Sequence, residues 1–231
     1  MRRKTWVKFP THWIEAHRLK ELRWEKGEGS SAAAALMVLI VLAHNMDDQT
    51  GLPRVTYDAL CEATGLSRTK VSHGLRRLES MDLIRRPPNQ NSIYEIVGYS
   101  PDRGWGKLPC HGLYRANQIV AFQPFRLRSR TELDALKLYL LFVSRRDNDL
   151  NAAQISYEKI EDFSGINRNR IKSAVSVLIF HHLVNVESQA STSSLFGQAH
   201  IYRLTHIDPR YDPDAVFGEK KIEKELDKVP F

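Results

Sequence analysis

The chain has 231 residues and only two cysteines, Cys61 and Cys110. That is too few for a disulfide framework or a thiolate zinc site, and it fits a reducing compartment. Long apolar runs are missing. The longest, residues 32–43, is twelve residues, short of the ~20 that a bilayer-spanning helix needs, and reads as a buried helix. The first six residues, Met1-Arg2-Arg3-Lys4-Thr5-Trp6, are basic but no apolar stretch follows, so a secretory leader is not expected. Histidine is plentiful, yet no two stand four apart beside a cysteine, which leaves no metal-ligand spacing. Gly27-Glu28-Gly29-Ser30-Ser31 lacks the Gly-Lys-Ser/Thr ending of a phosphate loop. No Ser/His/Asp grammar is visible either. The expectation is a cytoplasmic, nucleoid-associated protein that is not an enzyme, with no membrane partner, cofactor or metal.

What is present in excess is positive charge. Lys plus Arg is 34 against 27 for Asp plus Glu, a net charge of +7, with 42% hydrophobic residues to form a core. Residues 207–231 hold five basic and seven acidic residues, so residues 1–206 carry +9. A cationic body favours an anionic partner.

The chain also repeats itself. Shifted by 100 positions, residues 55–84 align with 155–184 without a gap, and five of the 30 pairs are identical, among them Tyr57/Tyr157, Gly65/Gly165 and Arg68/Arg168. Eleven more are conservative, such as Thr56/Ser156 and Val71/Ile171. At an offset of 99, Trp6-Val7-Lys8-Phe9-Pro10-Thr11-His12 matches Trp105-Gly106-Lys107-Leu108-Pro109-Cys110-His111. A period this long means two domains of one fold rather than a solenoid. The expected division is residues 1–98, a linker at 99–104 rich in turn residues, residues 105–206, and a charged tail at 207–231.

Each copy reads as helix, helix-turn-helix, hairpin. In the first, Ser30 and Ser31 can cap a helix over 32–43 that is apolar all round and therefore central. Thr56 caps a short helix from Tyr57 to Thr64, Gly65 ends it, and Ser67 caps a second helix from Arg68 to about Met81. Val71, Leu75 and Leu78 form its inner face; Arg68, Thr69, Ser72, His73 and Arg76 form its outer one. Leu83-Ile84 and residues 93–97 make the hairpin, with a polar tip at 85–92. In the second copy the central helix covers 136–143. Ser156 caps residues 157–163, Gly165-Ile166 turn, and Asn167 caps a helix from Arg168 to about His182. Residues 184–186 and 200–204 read as strands around a Ser/Thr/Gln-rich tip.

This grammar resembles the winged helix-turn-helix superfamily, twice over, across roughly residues 30–98 and 130–206. The run Tyr57-Asp58-Ala59-Leu60-Cys61-Glu62-Ala63-Thr64-Gly65-Leu66-Ser67-Arg68 is similar to the bacterial-regulator pattern that opens a recognition helix. The Trp-x-Lys-apolar-Pro segments resemble the lead-in strand of replisome organisers of the DnaD kind, and two winged helices in one chain resemble plasmid replication initiators in architecture. One departure concerns the position four before the turn glycine, where the family keeps a small residue so that the helices close. Cys61 fits; Glu161 does not.

The resemblance implies an α+β, mainly helical chain with two tandem winged helix-turn-helix domains that binds double-stranded DNA. The implied contact residues are Ser67, Arg68, Thr69, Lys70, Ser72, His73, Arg76 and Arg77 on the first recognition helix, Arg85 and Arg86 at the first wing, and Asn167, Arg168, Asn169, Arg170, Lys172 and Ser173 on the second helix. Arginine can bond guanine O6 and N7 together, asparagine can do the same for adenine, and hydroxyls reach phosphates. Two such readers suit two unequal half-sites about 34 Å apart. With about eight cations on phosphates, log affinity would fall against log salt with a slope of about −7. A transcription regulator of a bacterium or mobile element is the leading expectation, with a plasmid or phage replication initiator as the alternative. A winged-helix protein-interaction module without DNA is the reading from another class. Arg2, Arg3 and Lys4 offer a basic arm or a frayed end. The tail, with Lys220-Lys221-Ile222-Glu223, offers contact with a transcription or replication protein or with a second copy.

Overall fold

The structure, a computed structural model, describes residues 3–25, 27–88, 90, 92–190 and 198–207. It is α+β. Seven α-helices among these residues are joined by short strands that pair only antiparallel. The expected tail, with Lys220 and its neighbours, and Arg2 lie outside the described residues. No described helix is long and apolar enough to cross a membrane.

The sequence repeat is repeated in the elements. Helices α3 (Tyr57–Thr64) and α4 (Arg68–Ser80) have counterparts 100 residues on in α6 (Tyr157–Ser164) and α7 (Arg168–Phe180). Local rules set these ends. The side chains of Thr56, Ser67, Ser156 and Asn167 each accept a backbone N–H of the first turn, replacing a bond the helix start cannot make. Gly65 and Gly165 close the first helix of each pair at φ 71° and 69°, a left-handed conformation that a side chain would strain. In both halves the residue before that glycine bonds back. Thr64 and Ser164 donate to the carbonyls of Leu60 and Ile160, and accept from the N–H groups of Leu66 and Ile166.

The centre is built from α2 (Gly29–His44) and α5 (Arg130–Arg145), which pack on each other and carry α4 and α7 respectively. Helix α2 starts at Gly29 on Glu28 with no side-chain cap, so Ser30 and Ser31 lie inside it rather than before it. The ring of Trp24 fills the space beside Gly29. Helix α5 begins six residues before the expected 136, because Ser129 and Glu132 form a reciprocal capping box. In the first half the hairpin is reduced to β2 (Ile84–Arg85) and β3 (Glu95–Ile96). The second half carries a four-stranded sheet in the order β7-β8-β10-β9, from Arg146–Asp147, Ala152–Gln154, Gln198–Leu204 and Val184–Ala190. Strand β9 thus runs into the region expected as a loop tip.

The two Trp-x-Lys segments pair with each other. Strand β1 (Trp6–Pro10) lies antiparallel to β4 (Trp105–Pro109), with Lys8 opposite Lys107. Because the strands are repeat equivalents, this register creates a local two-fold axis between the two lysines. The contacts obey it. Trp6 and Trp105 stack with centroids 6.0 Å apart, Lys8 lies 5.0 Å over Trp105, and Lys107 lies 4.9 Å over Trp6. Like charges directly opposite each other are unfavourable, and the reciprocal cation–π contacts offset that cost. The other face, with Val7, Phe9 and Leu108, is buried. Opposite Phe9, Gly106 passes so close to α5 that a Cβ there would sit 2.4 Å from the Val143 carbonyl oxygen.

Beyond the ribbon the chain crosses over. The segment after β1, which opens with α1 (His12–Glu15), packs on the second half: His17 stacks on Phe163 at 4.1 Å, Lys20 pairs with Asp162 at 3.2 Å, and Glu15 pairs with Arg145 at 2.6 Å. The segment after β4 packs on the first half. Strands β5 (Tyr114–Arg115) and β6 (Gln118–Ile119) bring Asn117 to Glu62 at 3.1 Å, and the Gln123 side chain covers Gly65. Residues 99–104 are a tethered turn. The Pro101 carbonyl accepts from Lys8 and Trp105, and Tyr99 donates to the Asp48 carbonyl. Arg3 and Lys4 are neither arm nor frayed end: Arg3 stacks over Tyr114 at 3.8 Å and Lys4 pairs with Asp48.

Buried His44, at the end of α2, fastens the halves. Its Nε2 donates to the Pro109 carbonyl at 2.8 Å, and its Nδ1 lies 3.0 Å from the Tyr114 hydroxyl, which donates to it. Burial lowers the imidazole from 6.5 to about 3. A base with a depressed folded pKa stabilises fully above its unfolded value, and that stability is lost as pH falls. Urea unfolding should therefore show stability falling by a few kcal/mol from pH 6.5 towards 3, with a shallower fall in His44→Gln. Equal slopes would contradict the assignment. Gly106→Ala should cost at least ~1–3 kcal/mol in the same assay; an unchanged midpoint would place the ribbon away from α5.

Candidate nucleic-acid interface

The second helix of each pair, α4 and α7, presents the polar residues singled out above. Their inner faces are fixed by Val71, Leu75 and Leu78, and by Ile171, Val175 and Leu178, all buried. Gly74 and Ala174 sit at equivalent buried positions, and Gly74 lets α4 approach the backbone of α2 at Ala34. The substitution of Glu for a small residue at 161 leaves the turn unchanged, because the Glu161 side chain swings outward to Arg168 at 3.0 Å. The half-buried Cys61 occupies the matching place in α3.

Arg68 and Arg168 head the two helices in matching arrangements. Arg68 is 68% exposed, pairs with Asp58 at 2.6 Å and lies 5.6 Å over the Tyr57 ring. Arg168 is 57% exposed and pairs with Glu161 and, at 4.0 Å, Glu158. Surface pairs of this kind are worth about 0–1 kcal/mol. They orient the guanidinium and yield to a better anion at little cost. Thr69, Arg76, Asn169, Lys172 and Ser173 are exposed, while Ser72 and His73 are half-buried beside them. Arg76 bonds Ser72 at 3.1 Å, one turn back.

Other predicted contacts are engaged elsewhere. Lys70 donates to Ser30 at 2.7 Å, and its counterpart Arg170 pairs at 3.0 Å with Asp134, a carboxylate only 5% exposed. Both side chains turn towards the central helix rather than outward, so they brace α4 and α7. Arg77 donates to the Glu21 carbonyl at 2.9 Å, holding the crossing segment. Ser67 and Asn167 commit their side-chain oxygens to capping. At the first hairpin, Arg85 is exposed and pairs with Asp82 at 3.2 Å. Arg86 is tied through two guanidinium nitrogens, Nε and Nη2, to Glu79 of α4, which fastens the hairpin to the helix. Of the nine predicted Lys and Arg contacts, six are exposed: Arg68, Arg76, Arg85, Arg86, Arg168 and Lys172.

The faces are unequal at their far ends. Where α4 has Glu79 and Ser80, α7 has Ile179 and Phe180, the latter 75% exposed. The second face also has more carboxylates at its head. Beyond the predicted residues, the structure adds Lys20 and Gln123, each laid against the turn glycine of the opposite half. The sequence feature behind this exchange is the Trp-x-Lys repeat: its two strands pair antiparallel with their lysines opposite, which relates them by a local two-fold. No protein-family model matches the chain, and no curated protein matches it.

The capping bonds give a direct test of the turn geometry. Ser67→Ala and Asn167→Ala should each lower stability by about 0.5–2 kcal/mol in urea unfolding. No loss in either would mean that the caps do not set where α4 and α7 begin.

Proposed function

We propose that the chain is a sequence-specific double-stranded DNA-binding protein with two winged helix-turn-helix units, α4 and α7 being the recognition helices. The observation that carries this reading is an exposed arginine at the head of each second helix, Arg68 and Arg168, repeated 100 residues apart on the same turn geometry. Arg76 and Lys172 extend the cationic face along each helix, and Thr69, Asn169 and Ser173 supply donors and acceptors for base edges. Arg85 and Arg86 reach flanking phosphate from the first wing.

The local two-fold at Lys8 and Lys107 gives the reading a symmetry. Readers related by a two-fold recognise inverted half-sites. The ribbon and crossing segments hold the two units as one body, so the second contact needs no search by a loose tether. The extra carboxylates beside Arg168 and the apolar end of α7 make the half-sites unequal. The protein acts by occupying its site, as a transcription regulator in a bacterium or mobile element.

Arg68→Ala with Arg168→Ala should abolish specific binding in a fluorescence-anisotropy titration while leaving the circular dichroism spectrum unchanged. Full affinity in that double variant would refute the assigned faces. Six exposed cations lower the expected salt dependence to a slope of about −5 in log affinity against log salt. A slope near zero would assign the surface to a protein partner instead.

A further inference from the structure

A cavity of about 380 Å³ lies between the crossing segment, α5 and the head of α7. Its lining is unusual for a structural gap. Among the described residues, Lys20, Arg23, Arg130, Lys137 and Arg170 converge on it against two carboxylates, Glu25 and Asp134. Arg130, Asp134 and Lys137 stand at i, i+4 and i+7 on α5, so one helical stripe forms its wall. The crossing segment forms the opposite wall, and Gly165 with Arg170 closes the end next to α7.

Each cation has a protein partner but keeps donors to spare. Arg130 donates to the Trp24 carbonyl at 3.1 Å, Lys137 to the Leu22 carbonyl at 3.1 Å, and Arg170 to Asp134 at 3.0 Å. Arg23 donates through Nε to the Lys20 carbonyl at 3.4 Å and approaches Glu25 only at 3.9 Å, and Lys20 pairs with Asp162 at 3.2 Å. Lys137 is the telling group. Its side chain is buried at 4% exposure, and the Leu22 carbonyl is the one hydrogen-bond acceptor it has among the described residues. An ammonium removed from water with two donors unspent is costly, and burial lowers its pKa to about 8. An anion seated in the cavity would satisfy those donors.

We propose that this cavity is a binding site for a small phosphate monoester, with Lys137 at its floor and the Arg23, Arg130 and Arg170 guanidinium groups gripping the phosphate oxygens. Guanidinium forks match phosphate geometry. The volume, near the lower end for ligand pockets, admits a phosphate on a body the size of a sugar. A phosphate of duplex DNA offers the same chemistry, but it projects from a wide rod, whereas Lys137 is buried and bonded to the Leu22 carbonyl of the crossing segment, a position that favours a small free ester. The free ester is therefore the ligand. Arg170 lies on α7, and a bound phosphate competes with Asp134 for it, so occupancy repositions that helix. This regulatory consequence rests on the DNA-binding reading; binding of the ester does not.

The test is calorimetric titration of the full chain, without DNA, with ribose 5-phosphate and with ribose. The phosphate should bind saturably and ribose should not. Arg130→Gln, at an exposed position, and Lys137→Met should each weaken binding by about tenfold or more, whereas Lys159→Gln, on the outer face of α6, should leave it unchanged. Amide and indole resonances of Gly165 and Trp24 should shift on titration and stay shifted when duplex DNA is added. No saturable binding of ribose 5-phosphate would overturn the proposal. So would equal affinity in Arg130→Gln, or displacement of the ester by duplex, which would make the cavity a seat for a DNA phosphate. A chain that binds the ester but no duplex would retain this site and lose the DNA-binding reading.

Discussion

Two strands that are copies of each other pair antiparallel, and the rest of the molecule is arranged around that pairing. A strand and its own repeat can form a ladder of this kind only about a two-fold axis, here between Lys8 and Lys107. The axis is costly at its centre, where two lysines stand opposite each other in the register, and stabilised at its flanks, where each lysine lies over the other strand's tryptophan. Beneath it, α2 and α5 pack together, and His44 bonds across from one half to the other. Each half also sends a segment over the helix pair of its neighbour. The halves are thus interlocked.

The interlock bears on both proposals. Lys70 and Arg170, read from the sequence as outward cations, instead bind to the N-terminal parts of the central helices. They set how α4 and α7 sit, leaving Arg68, Arg76, Arg168 and Lys172 to face solvent. In the second half the brace is an ion pair with nearly buried Asp134, next to buried Lys137. Charges held this way are sensitive to any anion that enters, because the surrounding medium screens them poorly. The first half uses a neutral Ser30 in the corresponding role. The two copies of one unit thus brace their second helices by different chemistry.

Much of this was legible in the sequence where local chemistry decides. Thr56, Ser67, Ser156 and Asn167 mark helix starts, and Gly65 and Gly165 mark ends; each acts on neighbours within a turn, so the boundaries of α3, α4, α6 and α7 followed closely. The start of α2 did not, because Trp24 packing on Gly29 outweighs the hydroxyls of Ser30 and Ser31. The start of α5 was visible in Ser129 and Glu132, a capping box that the apolar run 136–143 obscured. The repeat itself was plain, but its geometry was not: β1 and β4 are 99 residues apart, and nothing local says whether equivalent strands meet. The same holds for Lys70 and Arg170, whose inward turn depends on partners 40 and 36 residues away.

On the proposed DNA-binding reading, the two-fold seen at the ribbon relates α4 and α7 as well, and the two halves engage duplex as one body. Selection of bound duplexes from a random library tests it most directly. The account predicts enriched sites made of two imperfect half-sites in inverted orientation at a single fixed spacing, with Arg68→Ala erasing one half and Arg168→Ala the other. Half-sites in direct orientation, or inverted ones tolerating variable spacing, would contradict it.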